Sequence, residues 1–454
     1  MATKMKDMTH GKPVGLIVTF ALPLMLGNIF QQLYMVVDTM VVGKVLGVGA
    51  LAALGAVDWL NWMMLGLTQG VMQGFAIPMA QAFGARNEKE LRRVVGCAML
   101  LSVLCAIGFV AVGQGIARPV LQLLRTPDEI MDSALVYQRI LFGGLPIVVA
   151  YNLFASILRS LGDSQTPLHA MMVASVLNIV LDLFFVLVCR WDIAGAAIAT
   201  VIAQLFSSLF CLHFILKNPV LKLQKSDFAL PKDLVARLFR LGTPMGTQNI
   251  LIAVGGMIIQ SIVNDFGVAF IAGYTAANKL YGILEIASTS YGYAMITYVG
   301  QNLGAGRFDR IRSGFRAAMG VAMVTSVCIG GAMLAFGRTI LGWFVSGDPA
   351  DVAVTMQSGY TYLAIMSISL PALYVLYVSR SSTQGMGNTV LPMVSGVAEL
   401  AIRTVFAVVL TWAIGENGVF YAEVLAWFGA CCVLLPSYFS TLRRREKEWQ
   451  FYNG

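Results

Sequence analysis

Charge is scarce in this sequence. Only 12% of its 454 residues are Asp, Glu, Lys or Arg, about half of what a soluble domain uses to cover its surface. Histidine is scarcer still: His10, His169 and His213 are the only three, and none offers a nucleophile a base. No G-x-x-x-x-G-K-[ST] run is present, which excludes a P-loop nucleotide site and leaves an ion gradient as the energy source. The seven cysteines lie mostly inside apolar runs without metal-ligand spacing and read as reduced, small hydrophobes. No soluble face gathers the basic residues, so the net charge of +8 is not a nucleic-acid surface. The two-residue alternation of a membrane barrel is also missing.

Long apolar runs are abundant. Hydrophobic residues make up 58% of the chain, and the mean hydropathy is +0.76. Runs of about 20 residues recur, each long enough to cross a hydrocarbon core ~30 Å thick. Twelve spans are expected, the first over 14–41, the fourth over 134–158, the fifth over 167–189, the tenth over 355–379 and the last over 418–441. The basic N-terminus is followed by no small-residue cleavage site, so the first span reads as a retained helix. Most basic residues fall at the termini and in the even-numbered connections, including Arg86, Arg92, Arg93, Lys222, Lys225, Arg307, Arg310, Arg443 and Arg444. The opposite side holds few, Lys44, Arg118 and Arg190 among them. This bias predicts that both termini are cytoplasmic.

The chain also repeats. PLMLGN at 23–28 resembles PMGTQN at 244–249, AQAFGARNEKELRR at 80–93 resembles GQNLGAGRFDRIRS at 300–313, and RSLGDSQTP at 159–167 resembles TQGMGNTVLP at 383–392. The expectation is an N-terminal six-helix lobe over 1–216, a cytoplasmic linker over 217–237, and a C-terminal six-helix lobe over 238–454. With six spans per half the repeat is parallel, and transporters with such repeats place substrate between them.

Within this apolar background a few polar residues stand out. Asp38 lies about six residues, or ~9 Å, from the outer end of the first span. A carboxylate in lipid costs about 2.5–3.5 kcal/mol on insertion scales. Asp182 in the fifth span and Thr200 in the sixth reach similar depth, with Asn178 and Gln204 one turn away from them. All are oxygen donors of the kind hard cations prefer. Without a cation, two carboxylates brought together would hold a proton between them. The same groups could instead serve as hydrogen-bonding contacts between helices. In the second half, Glu399 and Arg403 are spaced to pair within one helix, and Glu285 sits mid-span as a further candidate for a proton or a cationic substrate. Arg403 occupies the repeat position of Asn178. Asp58 is expected near the membrane interface, and the methionines and aromatics of the second and eighth spans suit an adaptable lining or, equally, core and lipid-facing packing.

With VDTMVVG in the first span, AQAFGARN and GQNLGAG after the second and eighth, and LNIVLD then GAAIAT in the fifth and sixth, the sequence resembles the multidrug and toxic compound extrusion (MATE) family, in its DinF-like branch. The resemblance implies an all-α integral membrane protein with twelve transmembrane helices in two parallel-repeat six-helix bundles of the MATE/MOP type. It implies a secondary-active antiporter of the plasma (inner) membrane, not an enzyme, that exports organic, cationic, drug-like compounds in exchange for H⁺ or Na⁺. The ion or proton site would comprise Asp38, Asn178, Asp182 and Thr200, and Pro23 would be a point of helix bending. Glu285, Glu399 and Arg403 remain the candidate second-lobe polar site. No cofactor and no nucleotide are implied. The NorM-like branch has acids in the seventh and tenth spans, which here hold none at mid-span, so coupling in the N-terminal lobe is favoured. Two other readings are a lipid-linked oligosaccharide flippase of the same superfamily and, further off, an intramembrane aspartyl enzyme using the two acids as a dyad.

Overall fold

The computed structural model describes residues 5–124, 126–343 and 349–453. The first four residues of the basic N-terminus lie outside them. Among the described residues the chain is helical, with no strand. The helices are α1 (Pro13–Val45), α2 (Val48–Gly84), α3 (Glu88–Leu123), α4 (Asp128–Gly143), α5 (Leu145–Ser160), α6 (Gln165–Leu183), α7 (Asp192–Leu216), α8 (Lys232–Val263), α9 (Val268–Gly304), α10 (Phe308–Gly342), α11 (Pro349–Gly385), α12 (Val390–Ile414) and α13 (Gly418–Asn453).

Among the described residues, ten helices are long and apolar enough to cross a bilayer, and α4 with α5, bent by 45°, meet the same test when taken together. The remaining helix, α9, has the length, 37 residues. It is less apolar because it carries Asn278, Lys279, Glu285 and the Ser288–Thr289–Ser290 run. Large apolar side chains stay exposed on the helices, Leu33, Val36, Val176, Val180, Val324, Val327 and Trp412 among them, which suits lipid better than water.

The repeat is written into the backbone. Positive φ angles fall at Gly47 and Gly267 before α2 and α9, at Arg86 and Gly306 after the same two helices, and at Gly162 and Gly387 after α5 and α11. Each pair is separated by about 220–225 residues, the spacing of a tandem repeat. At the first connection Asn87 caps α3 by accepting from the Glu90 amide at 3.0 Å, and Glu88 and Glu90 meet the positive end of the helix.

The chain divides into two compact units. Unit 1 comprises Met1–Asp7 and Leu22–Ile250, and unit 2 comprises Met8–Ala21 and Leu251–Gly454. The first residues of α8 therefore belong to unit 1. Their reason is steric: a Cβ on Gly70 would stand 2.6 Å from the Met245 carbonyl oxygen, so only glycine lets α2 approach α8 this closely. The first residues of α1 belong to unit 2, where Gln301 accepts from the Met8 amide at 2.8 Å and Arg310 donates to the Gly11 carbonyl at 2.9 Å. The contact units thus differ from a cut at the repeat boundary by exchanging the beginnings of α1 and α8. Helix α1 runs unbroken through Pro23, two residues past the point where it changes unit.

Among the described residues, unit 1 holds two apolar cores. One is built from α2, α3, α5, α7 and the start of α8, around Phe75, Val94, Leu153, Cys211 and Leu238. The other is built from α1, α2, α3, α4 and α7, around Val42, Val57, Leu121 and Ala197.

Candidate functional site

Three helices of unit 1 each contribute a polar pair spaced by one turn: Tyr34 and Asp38 on α1, Asn178 and Asp182 on α6, and Thr200 and Gln204 on α7. Asp38, Asn178 and Asp182 retain 8%, 1% and 0% of their exposure, and Thr200 and Gln204 are half-buried. The amide of Asn178 reaches the Thr200 hydroxyl at 3.5 Å, a long contact that sets the register of α6 against α7. A small crevice runs between Tyr34, Asn178, Thr200, Gln204 and Ser207, backed by Met171, Ala174 and Ala203. The two carboxylates lie one turn farther along α1 and α6, within each other's electrostatic reach. All four residues of the expected ion site are therefore brought to one place.

The local sequence explains why. After Asp182 the helix continues as a π-helical turn, Phe184–Val188, a rare widening that recurs at functional sites. The chain then reverses within three residues, with Arg190 and Asp192 both at positive φ. Trp191 stacks on Phe185 with ring centres 4.8 Å apart. Gly195 admits Phe185 because a Cβ there would meet it at 3.0 Å. This tight hairpin fixes Asn178 and Asp182 opposite Thr200 and Gln204.

The oxygens are poorly satisfied. Asp38 Oδ1, Asn178 Oδ1, both Asp182 carboxylate oxygens and Gln204 Oε1 are buried without a hydrogen-bond partner. Buried polar atoms in native proteins are almost always bonded, and leaving one unmade costs about 1–3 kcal/mol, more for a charged group. A set of convergent oxygens and no nitrogen or sulfur ligand fits a hard cation or a proton. Among the described residues, no group of three or more His, Cys, Asp or Glu could hold a metal ion.

Sequence reasoning missed some of the surroundings. Tyr34 lies against Gln204 and Gln31. Tyr137 on α4 is buried within electrostatic reach of Asp38, Asp58 and Asp182, and its neighbour Gln138 donates to Asn61 Oδ1 at 2.9 Å. Tyrosine and glutamine inside an apolar run carry too weak a signal to single out. Asp58 is exposed and within electrostatic reach of Asp38.

The second-half residues also come together, in unit 2, with partners the sequence did not single out. Glu399 accepts from Arg403 through Oε1 and from Arg380 of α11 through Oε2, both at 2.8 Å. The tenth span was expected to stop at 379, but α11 runs to Gly385 and buries Arg380. Glu285 accepts from the Tyr377 hydroxyl. Lys279, near Glu285 in sequence, is exposed instead, as is Arg139.

Comparison with known proteins agrees with this architecture. The MatE family model matches residues 23–184 and again 244–409, once in each half of the repeat. A probable multidrug resistance protein of Bacillus subtilis (strain 168), YpnP, is 29% identical over 438 residues, 95% of this chain and 96% of the relative. A second from the same organism, YoeA, is 30% identical over 399 residues, 79% of this chain and 85% of the relative. The crystal structure of a MATE protein in complex with MaL6 superposes with a TM-score of 0.91 at 20% identity, covering 98% of this chain and all of the other, and so shares the fold. With the family model matched in both halves and close to full-length likeness to multidrug resistance proteins, this chain belongs to the MatE family of membrane transporters and is not an enzyme.

Proposed function

We propose that this transporter is a secondary-active antiporter that exports organic, cationic compounds from the cytoplasm in exchange for H⁺ or Na⁺ bound in unit 1. The observation that carries this reading is the group of five buried oxygens without partners on Asp38, Asn178, Asp182 and Gln204. A monovalent cation would be held by Asp38, Asn178, Asp182 and the Thr200 hydroxyl; a proton would be shared by the two carboxylates. Either would relieve the repulsion between the acids and the desolvation of the orphaned oxygens.

Coupling requires that ion and substrate prefer different conformational states. Helix α1 is suited to report the ion. It carries Asp38, changes unit between Ala21 and Leu22, and has Pro23 beside that point. Proline leaves the carbonyl one turn back without its helical partner, so bending there is easier than elsewhere in α1. In this reading the lobes follow the repeat, 1–216 and 238–454 with 217–237 as a linker, both termini are cytoplasmic, and the protein sits in the plasma membrane.

A cationic cargo is favoured over an anionic one because the two arginines buried in unit 2 are both engaged by Glu399. The test is efflux of a fluorescent organic cation from proteoliposomes under separately imposed proton and sodium gradients. Uphill efflux under one of the two gradients is expected. Flipping of a labelled lipid-linked oligosaccharide without cation efflux would overturn the reading.

A further inference from the structure

The interior of unit 2 holds a charge count that does not balance. Glu399, Arg380 and Arg403 form a triad joined at 2.8 Å on both sides of the carboxylate, and each of the three is 5% exposed. That triad carries one positive charge. Two more carboxylates complete the cluster, Glu285 from α9 and Glu423 from α13. Both interact electrostatically with Glu399 and Arg403, and Glu285 also with Arg380. Among the described residues neither meets an arginine or lysine at ion-pair distance.

Hydroxyls hold these two acids instead. Tyr377 donates to Glu285. The Tyr362 hydroxyl lies 3.2 Å from Asn278 Oδ1 and 3.4 Å from Glu423 Oε2, so its one proton is divided between them. The other titratable groups facing the pair are also tyrosines: Tyr274 and Tyr281 on α9 and Tyr374 on α11. Three carboxylates against two guanidiniums leave one negative charge in the membrane interior, where an uncompensated charge is strongly disfavoured. Glu285 and Glu423 are half-buried, whereas the triad is buried. The two acids without an arginine are therefore the more accessible part of the cluster.

We propose that unit 2 is a second proton-binding site: Glu285 and Glu423 together hold one exchangeable proton, which brings the five-residue cluster to neutrality. When that proton leaves, the accessible side of the cluster is left with a charge that only another cation offsets. This goes beyond the ion site of unit 1 and stands without it.

The test is infrared difference spectroscopy of the carboxylic-acid C=O stretch, with H₂O-to-D₂O exchange, on full-length protein carrying Asp38→Asn and Asp182→Asn. That background silences the acids of unit 1, so failure there and failure here are separable. A deuterium-sensitive band is expected to persist in the background. Either Glu285→Gln or Glu423→Gln alone should remove it, since two acids against two arginines need no proton. Arg403→Gln should enlarge it about twofold, since three acids against one arginine need two. Should a glutamine variant fail to fold, Glu285→Asp or Glu423→Asp should keep the band and shift its frequency. Absence of the band in the background, or a band unchanged by both glutamine variants or by both aspartate variants, would overturn the proposal.

Discussion

The polar interiors of the two units are built on opposite plans. In unit 1, two carboxylates and two amides present buried oxygens that nothing in the fold satisfies. In unit 2, each of the three carboxylates has a partner: two arginines for Glu399, and tyrosine hydroxyls for Glu285 and Glu423. The family model matches both halves, so the two plans occupy one scaffold. The position of Asn178 in the first half is taken by Arg403 in the second, and one exchanged residue converts a receptive oxygen into a fixed positive charge. A scaffold can hold expensive polar groups in lipid either by pairing them internally or by leaving them for a ligand; unit 1 leaves its oxygens open, whereas unit 2 pairs Glu399 with two arginines and leaves only Glu285 and Glu423 to tyrosine hydroxyls and a proton.

Stability separates the two plans most sharply. Glu399→Gln leaves two buried guanidiniums without their shared carboxylate and is expected to destabilise the protein by about 3–5 kcal/mol, the penalty for breaking a buried pair. Asp182→Asn removes a buried charge that has no partner and should leave the thermal midpoint unchanged or raise it. Melting curves of the two variants in detergent, followed by fluorescence-detected size exclusion, check this. Equal destabilisation by both would remove the distinction. The next effect is functional. Gln204→Leu deletes an unsatisfied amide oxygen beside the crevice and should reduce transport about tenfold, equivalent to ~1.4 kcal/mol, with stability held within about 1 kcal/mol. Initial efflux rates and melting measured on the same preparation decide it.

Smaller effects sharpen the geometry. Pro23→Ala returns an amide to α1 and should slow turnover several-fold while leaving ion affinity as it was, because the ligands lie on other turns. Rates at saturating ion are the readout, and a changed ion affinity would contradict the hinge role. Thr200→Val removes only a hydroxyl that meets Asn178 at 3.5 Å. It should weaken apparent ion affinity by a few-fold, about the worth of one modest hydrogen bond, ~0.5–1 kcal/mol.

Much of this was legible in the sequence, and the reasons are specific. Asp38 and Asp182 stand out because a carboxylate in an apolar run is expensive, and helix periodicity then adds Asn178 and Thr200. The tandem repeat shows both as matched motifs and as matched positive-φ turns at Gly47 and Gly267 and at Gly162 and Gly387. Other features were hidden. Arg380 and Glu423 stand close to helix ends or loops in any linear reading, and only the length of α11 and the packing of α13 bring them inward. Tyr34, Tyr137 and Gln138 are of residue types too ordinary to mark a site. The exchange of the beginnings of α1 and α8 between units depends on close approaches such as Gly70 against Met245, which no periodicity encodes.

The most direct test of the central claim is gradient-driven efflux from proteoliposomes made with wild type, Asp38→Asn and Asp182→Asn. The ion assignment predicts that the gradient which drives uphill efflux by wild type drives none in either variant, although both variants are folded and correctly inserted. Full gradient-driven efflux by either variant would contradict it.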